Sequence, residues 1–236
     1  MSESAVTTSL AGNVALIRID DGKVNALTPA LLDGLWGALD TAEAHARAVV
    51  LAGRPGVFCA GLDLDVMRTG GRPAMELLRR GTEIFLRLAG FPRPVVTACT
   101  GHSLAAGAVL LLCADVRICS EGDYKIGLNE VAIGIPLPEL VIDLARARLS
   151  PRHFTLACNT GRIYSPTGAI DAGFLDRADS SDAAGDALGV AAELAERLDA
   201  AAFAATRRVT CRGLAEVIAR NAADLTEAKR ARPGAA

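Results

Sequence analysis

Gly101-His102-Ser103-Leu104-Ala105-Ala106-Gly107 is the stretch that decides how this 236-residue chain is read. It follows an apolar run, Pro94-Val95-Val96-Thr97-Ala98-Cys99, which reads as a strand, and it opens into Ala105 to Cys113, which reads as a buried helix. A second stretch is built alike. Ala48-Val49-Val50-Leu51-Ala52 reads as a strand, Phe58-Cys59-Ala60-Gly61-Leu62-Asp63-Leu64 reads as a turn, and a helix is expected after it. Small residues at such a junction let a ligand approach bare backbone, and the first N–H groups of a helix have no partner within it. Two such turns converging on one point would offer paired donors to a carbonyl oxygen that gains negative charge. Glu130 follows in Gly127-Leu128-Asn129-Glu130, with Val131-Ala132-Ile133 after it. A carboxyl among apolar groups has a raised pKa, which suits it to exchange protons near neutrality.

Composition narrows the possibilities. A chain of this length holds one large domain, or one with a small appendage, and it can bury a large core. Hydrophobic residues make up 51 % and aromatic residues only 4 %, so the core is expected to be built from Ala, Leu, Val and Ile. The net charge of −2 gives no sign of a nucleic acid or an anionic membrane as partner. Six cysteines (Cys59, Cys99, Cys113, Cys119, Cys158, Cys211) form no CxxC pair and no metal-ligand spacing, so no metal site is expected. They read as reduced, buried thiols of a cytoplasmic protein. Met1-Ser2-Glu3-Ser4 lacks a basic stretch followed by an apolar run, so no signal peptide is read. Val109 to Cys113 is far too short to span a bilayer.

Along the chain, Val14 to Ile19 reads as a strand and Asp20 to Lys23 as a turn. Thr28-Pro29 starts a helix, with Thr as cap and Pro at the first helical position, and Leu31, Leu32, Leu35 and Leu39 form its apolar face. Pro73 to Leu88 reads as an amphipathic helix with Met75, Leu78, Ile84, Phe85 and Leu88 inward. Val116 to Cys119 is a short strand, Leu140 to Leu149 a helix, and Ser150-Pro151 the start of another. Beyond about Ser180 the chain is Ala-rich and helical. The order of elements argues an α/β domain, residues 1–180, followed by a helical region, residues 181–236. Periodicity alone permits a doubly wound sheet.

Asp21-Gly22-Lys23-Val24-Asn25-Ala26-Leu27, Phe58 to Leu64, Gly101 to Asp115, Asn129 to Gly134 and Ser165 to Asp176 together resemble the crotonase (enoyl-CoA hydratase/isomerase) superfamily, whose members act on acyl-CoA thioesters. The resemblance runs from about Val14 to about Ala178. It implies a spiral of ββα units with a C-terminal α-helical trimerisation region, a homotrimer or hexamer, and no cofactor beyond the coenzyme A carried by the substrate. It also implies that the backbone N–H groups of Leu62 and Ala106 form an oxyanion hole and that Glu130 is the acid/base. Backbone from Ala60 and Gly61 through Asp63, Leu64 and Asp65 would contact the coenzyme A substrate, helped by Lys23, Val24 and Ala26 and by Gly107 of the second turn. Arg207, Arg208 or Lys229 could reach the phosphate of a neighbouring subunit.

Two departures matter. The second turn, usually glycine-rich in the family, reads Ala105-Ala106-Gly107, a mild change if φ stays negative. Val109 stands where many hydratases carry a second glutamate. One carboxylate suffices to move a proton from C2 to C4 of a 3-enoyl thioester, whereas hydratase chemistry uses two to position and split a water. Isomerisation is therefore preferred to hydration, and a non-catalytic acyl-CoA binder is the reading of a different class.

Other polar residues have plainer expectations. Glu139 is a possible auxiliary acid or a favourable first-turn glutamate. Asp63 and Asp65 cap a helix, Asp115 fixes a helix end or strand start, and Asp143 is exposed. His102 fills space in its turn. Cys59 is a small residue under the coenzyme A chain rather than a nucleophile. Met67, Leu77 and Phe85 line the acyl pocket or belong to ordinary core.

Overall fold

The structure, a computed structural model, describes residues 4–213. Lys229 and the part of the expected C-terminal region beyond residue 213 lie outside the described residues. The elements begin with a hairpin of β1 (Val6–Ala11) and β2 (Val14–Ile19), followed by α1 (Pro29–His45). Then come β3 (Ala48–Ala52), β4 (Gly56–Cys59), α2 (Leu64–Thr69), α3 (Gly71–Ala89), β5 (Val95–Cys99), β6 (Gly101–Leu104) and α4 (Ala106–Leu112). Next are β7 (Val116–Ser120), β8 (Ile126–Gly127), a 3-10 turn (Val131–Ile133), α5 (Glu139–Arg148), α6 (Pro151–Thr160) and α7 (Pro166–Ala172). The described chain closes with β9 (Arg177–Ser180), α8 (Ala183–Arg197) and α9 (Ala200–Thr210).

The strands form two sheets rather than one doubly wound sheet. The larger has the order β1-β2-β3-β5-β7-β9, antiparallel only at β1–β2, and the smaller is β4-β6-β8, parallel throughout. Three times the chain leaves a large-sheet strand, enters a small-sheet strand and then turns helical: β3-β4-α2, β5-β6-α4, β7-β8 and the 3-10 turn. This repetition is the ββα spiral that the family resemblance implies.

Burial explains the patterns. β3 and β5 are buried along their whole length and so read as unbroken apolar runs. One face of the large sheet meets α1, α3 and α4 in the main core, through residues such as Ile17, Leu51 and Cys99. Val14, Val50, Val96 and Ile118 on the other face meet Ala183, Ala187, Ala191 and Ala195, a row of methyls at every fourth position of α8. The Ala-rich helix α8 thus covers the chain's own sheet.

Several expectations need correction. β1, β4, β6, β8 and β9 were not foreseen; Gly101 to Leu104, read as a turn, is a strand. These short segments mix Gly, Ser, Thr, His or charged residues and owe their extended form to the neighbours they pair with. On α3, Met75 is 48 % exposed, because the inward stripe runs through Leu77, Gly81, Ile84, Phe85 and Leu88. Asp143 is half-buried and pairs with Arg146 at 2.6 Å. Asp115 does fix a strand start, accepting from Val95 N at 2.9 Å, and it also binds Arg207, which donates to Ala89 O and ties α9 to the core.

Asn25 is the most heavily used buried polar side chain near the first turn. It is fully buried with φ +54, a region Asn tolerates better than other L residues. Its Nδ2 donates to Ile19 O and Phe58 O, and its Oδ1 accepts from Asp21 N. Asn25→Ala orphans these groups and is expected to cost about 3 kcal/mol. Thermal unfolding should record this as a fall in Tm of roughly 6–12 °C.

Candidate active site

The carboxyl ends of β4, β6 and β8 lie side by side, because the three strands are parallel and paired. In α/β proteins ligands gather at such ends. Here they deliver, in order, the turn holding Leu62, the turn holding Ala106, and the segment holding Glu130. Backbone bonds fix each to its neighbours: Ala105 N donates to Gly127 O at 3.0 Å, Ala60 N to Val24 O at 3.1 Å, and Leu27 N to Gly61 O at 2.8 Å. Gly107 is required at the base of α4, since a Cβ there would lie 2.1 Å from Cys59 O. The two turns touch, and a Cβ on Gly61 would stand 3.5 Å from Ala106 N.

Asp63 caps α2, accepting from Asp65 N and Val66 N, while α4 begins with no side-chain cap. Among the described residues the N–H groups of Leu62 and Ala106 donate to nothing. Both residues line one cavity of about 120 Å³. Its walls are Ala60, Leu64 and Ala105 of the two turns, Met67 of α2, Leu78 and Phe85 of α3, Val109 of α4, and Ile133, Ile135, Pro138 and Val141 of the segment that follows Glu130. Thr82, Asn129 and Glu130 supply the side-chain polarity.

Glu130 follows β8 and opens the 3-10 turn, its carbonyl accepting from Ile133 N and Ile135 N. It is 9 % exposed. Its Oε2 is buried without a hydrogen-bond partner. Burial among apolar side chains raises its pKa from an ordinary 4.5 to about 7. Asn129 Oδ1 is likewise buried and without a donor.

The other sequence-derived candidates fall at different distances from this cavity. Leu64 and Ala60 line it; Gly61 and Gly107 lie buried behind its wall. Lys23 and Val24 are exposed and Ala26 half-buried on the loop that Ala60 N and Gly61 O strap to the first turn. Asp65 is exposed on α2. Glu139 is exposed in the first turn of α5, and its neighbour Pro138, not Glu139, faces the cavity. Met67 and Phe85 line the cavity, whereas Leu77 belongs to the core and Leu78 takes the lining position. Thr82 and Asn129 are lining residues that sequence reasoning passed over; the Gly-Leu-Asn-Glu spacing alone could have pointed to Asn129. His102 Nδ1 accepts from Lys125 N at 2.9 Å, outside the cavity. Burial pushes the Cys59 thiol up to about 12, which disfavours a thiolate. No cluster of His, Cys, Asp and Glu suited to a metal occurs among the described residues.

A ββα spiral whose small parallel sheet brings two residues with unpaired backbone amides and one buried carboxyl to the lining of an apolar cavity has the crotonase fold. The comparisons agree with this class. The family described as Enoyl-CoA hydratase/isomerase matches residues 9–227, and the chain belongs to that family. It is 33 % identical over 177 residues to the mouse (Mus musculus) protein "Enoyl-CoA delta isomerase 1, mitochondrial", covering 72 % of this chain and 61 % of that one. The match therefore spans less than two thirds of the mouse protein's length. A crystal structure of an enoyl-CoA hydratase/isomerase family protein from Pseudomonas syringae superposes with a TM-score of 0.88 at 37 % identity, covering 92 % of this chain and 94 % of that one. A probable enoyl-CoA hydratase from Mycobacterium tuberculosis H37Rv superposes with a TM-score of 0.88 at 35 % identity, covering 96 % and 98 %. Among the described residues no helix is long and apolar enough to cross a membrane.

The raised pKa of Glu130 has a stability consequence. The folded chain holds this proton more tightly than the unfolded chain, so stability falls as pH rises from about 4.5 to about 7. Below that window the carboxyl is protonated in both states and there is no penalty. Above it the buried charge costs about 3 kcal/mol. Glu130→Gln removes the charge. Its Tm should exceed that of the parent at pH 8, with the difference vanishing near pH 4.5, as differential scanning calorimetry across pH would show.

Proposed function

We propose that this chain acts on unsaturated acyl-CoA thioesters and shifts a 3-enoyl double bond to the 2 position. The observation that carries this reading is a single buried carboxyl with a raised pKa, in the same apolar cavity as two unpartnered backbone N–H groups. The thioester oxygen sits between the N–H groups of Leu62 and Ala106. These donors stabilise the enolate as it forms, where water is scarce and each is worth most. Glu130, as carboxylate, takes a proton from C2; the electrons move through the enolate, and the double bond re-forms between C2 and C3 as the carboxyl returns the proton at C4. A pKa of about 7 leaves both forms populated at neutral pH, as a group that must accept and then donate requires. The apolar side chains that surround Glu130 raise that pKa and also take the acyl tail.

Val109 carries no second carboxyl to hold a water, which favours isomerisation. Water addition to a 2-enoyl thioester is the second reading. It draws on one observation, the donorless Oδ1 of Asn129, which lines the same cavity and is an acceptor that a water held beside Glu130 would satisfy. Backbone of the 60–65 segment, with Lys23, Val24 and Ala26 on the strapped loop, would take coenzyme A; no further cofactor enters the reaction. The reading includes a homotrimer or hexamer, and light scattering should then return three or six times 24.4 kDa.

Purified protein assayed with 3-hexenoyl-CoA and crotonyl-CoA tests the choice. The bond shift is expected to be the faster reaction, and faster hydration of crotonyl-CoA would reverse the order. Glu130→Gln should lower turnover by about 10³-fold while acyl-CoA affinity holds within a few-fold. In the parent, kcat/KM should climb with pH to a plateau above about 7 as the base form fills. Retention of full activity by the Gln variant would overturn the assignment.

A further inference from the structure

Ala105 holds φ +51 and ψ −125, one of two non-glycine residues with positive φ among those described. L residues avoid this conformation because the Cβ crowds the backbone, and such strain persists only where its surroundings impose it. The expectation that alanine in the second turn is a mild change holds for Ala106, but fails at Ala105, which occupies a glycine conformation. Glycine would relieve the strain, so the methyl calls for a physical account.

Its location supplies one. Ala105 lines the cavity and immediately precedes Ala106, and its ψ sets the plane of the peptide whose N–H belongs to Ala106. That peptide is anchored on its other side by Val109 N, which donates to Ala105 O at 3.1 Å, while Ala105 N donates to Gly127 O. The methyl also faces the opposing turn. A Cβ on Gly61, itself at φ +106, would lie 2.9 Å from Ala105 Cβ. One side of this contact has a methyl, and the other has no room for one. Gly61 adjoins Leu62, so the contact lies between the two unpaired amides.

We infer that Ala105 is a positioning residue whose strained methyl, wedged against Gly61, sets the spacing of the Leu62 and Ala106 N–H groups and restrains the peptide that carries the second. Glycine at this position frees that peptide to rotate and leaves a gap between the turns. The inference rests on the proposed role of those two amides as donors to a thioester enolate.

Acetoacetyl-CoA tests it without turnover, because its enolate absorbs in the near ultraviolet and paired donors raise the enolate fraction of the bound compound. Ala105→Gly is expected to lower that fraction about tenfold, with binding held within about twofold, and Tm unchanged or raised by about 2 °C as strain is released. Ala105→Ser keeps the Cβ and should stay near the parent in enolate fraction. An unchanged enolate fraction in the Gly variant overturns the inference. So does a Tm that falls along with it, or a Ser variant as impaired as the Gly variant. A parent chain that binds the compound with no enolate absorbance removes the two-amide site and this inference together. Glu130→Gln that keeps turnover removes only the acid/base assignment and leaves the enolate readout standing.

Discussion

Everything at the candidate site depends on the lateral pairing of three short parallel strands. β8 has only two residues, and β4 and β6 have four each. None would hold an extended form alone. Paired through Gly56–Gly101, Cys59–Ser103 and Leu104–Gly127, they bring three strand ends from distant parts of the sequence to one edge. Parallel strands need a crossover between them. The spiral supplies it by sending the chain through a helix and a large-sheet strand each time, so the small sheet is a by-product of how the large one is wound.

The chemistry follows from what that edge exposes. The Ala106 amide is left unpaired because α4 begins with it, and the Leu62 amide is left unpaired one residue before Asp63, the cap of α2. The segment after β8 carries a carboxyl into an apolar wall, where desolvation rather than a neighbouring charge sets its pKa. Fold energy is stored at this place in two forms: a buried carboxyl with one oxygen, Oε2, left without a hydrogen-bond partner, and Ala105 in a conformation natural to glycine. Stability is given up where a reaction needs poised groups, while the alanine row of α8 and the Arg207–Asp115 pair strengthen the rest.

Composition and pattern carried much of this. Leu31, Leu32, Leu35 and Leu39 announced α1, and the unbroken apolar runs announced β3 and β5, because full burial leaves no polar alternation. The order of small-residue motifs pointed to the family, and apolar neighbours pointed to a raised pKa at Glu130. The strands β4, β6 and β8 were illegible, since their extended form comes from partners about 20 to 45 residues away. Met75 was misplaced by one helical position, because a mixed run of Met and Leu permits more than one inward stripe.

The sequence by itself determined which residues could supply chemistry: two bends of small residues, each leading toward a helix, one glutamate among apolar neighbours, and valine where a second carboxyl might stand. These are local properties, fixed by side-chain size and polarity. Only the tertiary structure decided that the two bends touch, that the amides of Leu62 and Ala106 and the Glu130 carboxyl share one cavity, that Glu139 stays outside it, and that Ala105 bears positive φ. Those are outcomes of strand pairing and close packing between segments far apart in the chain, and no local pattern encodes them.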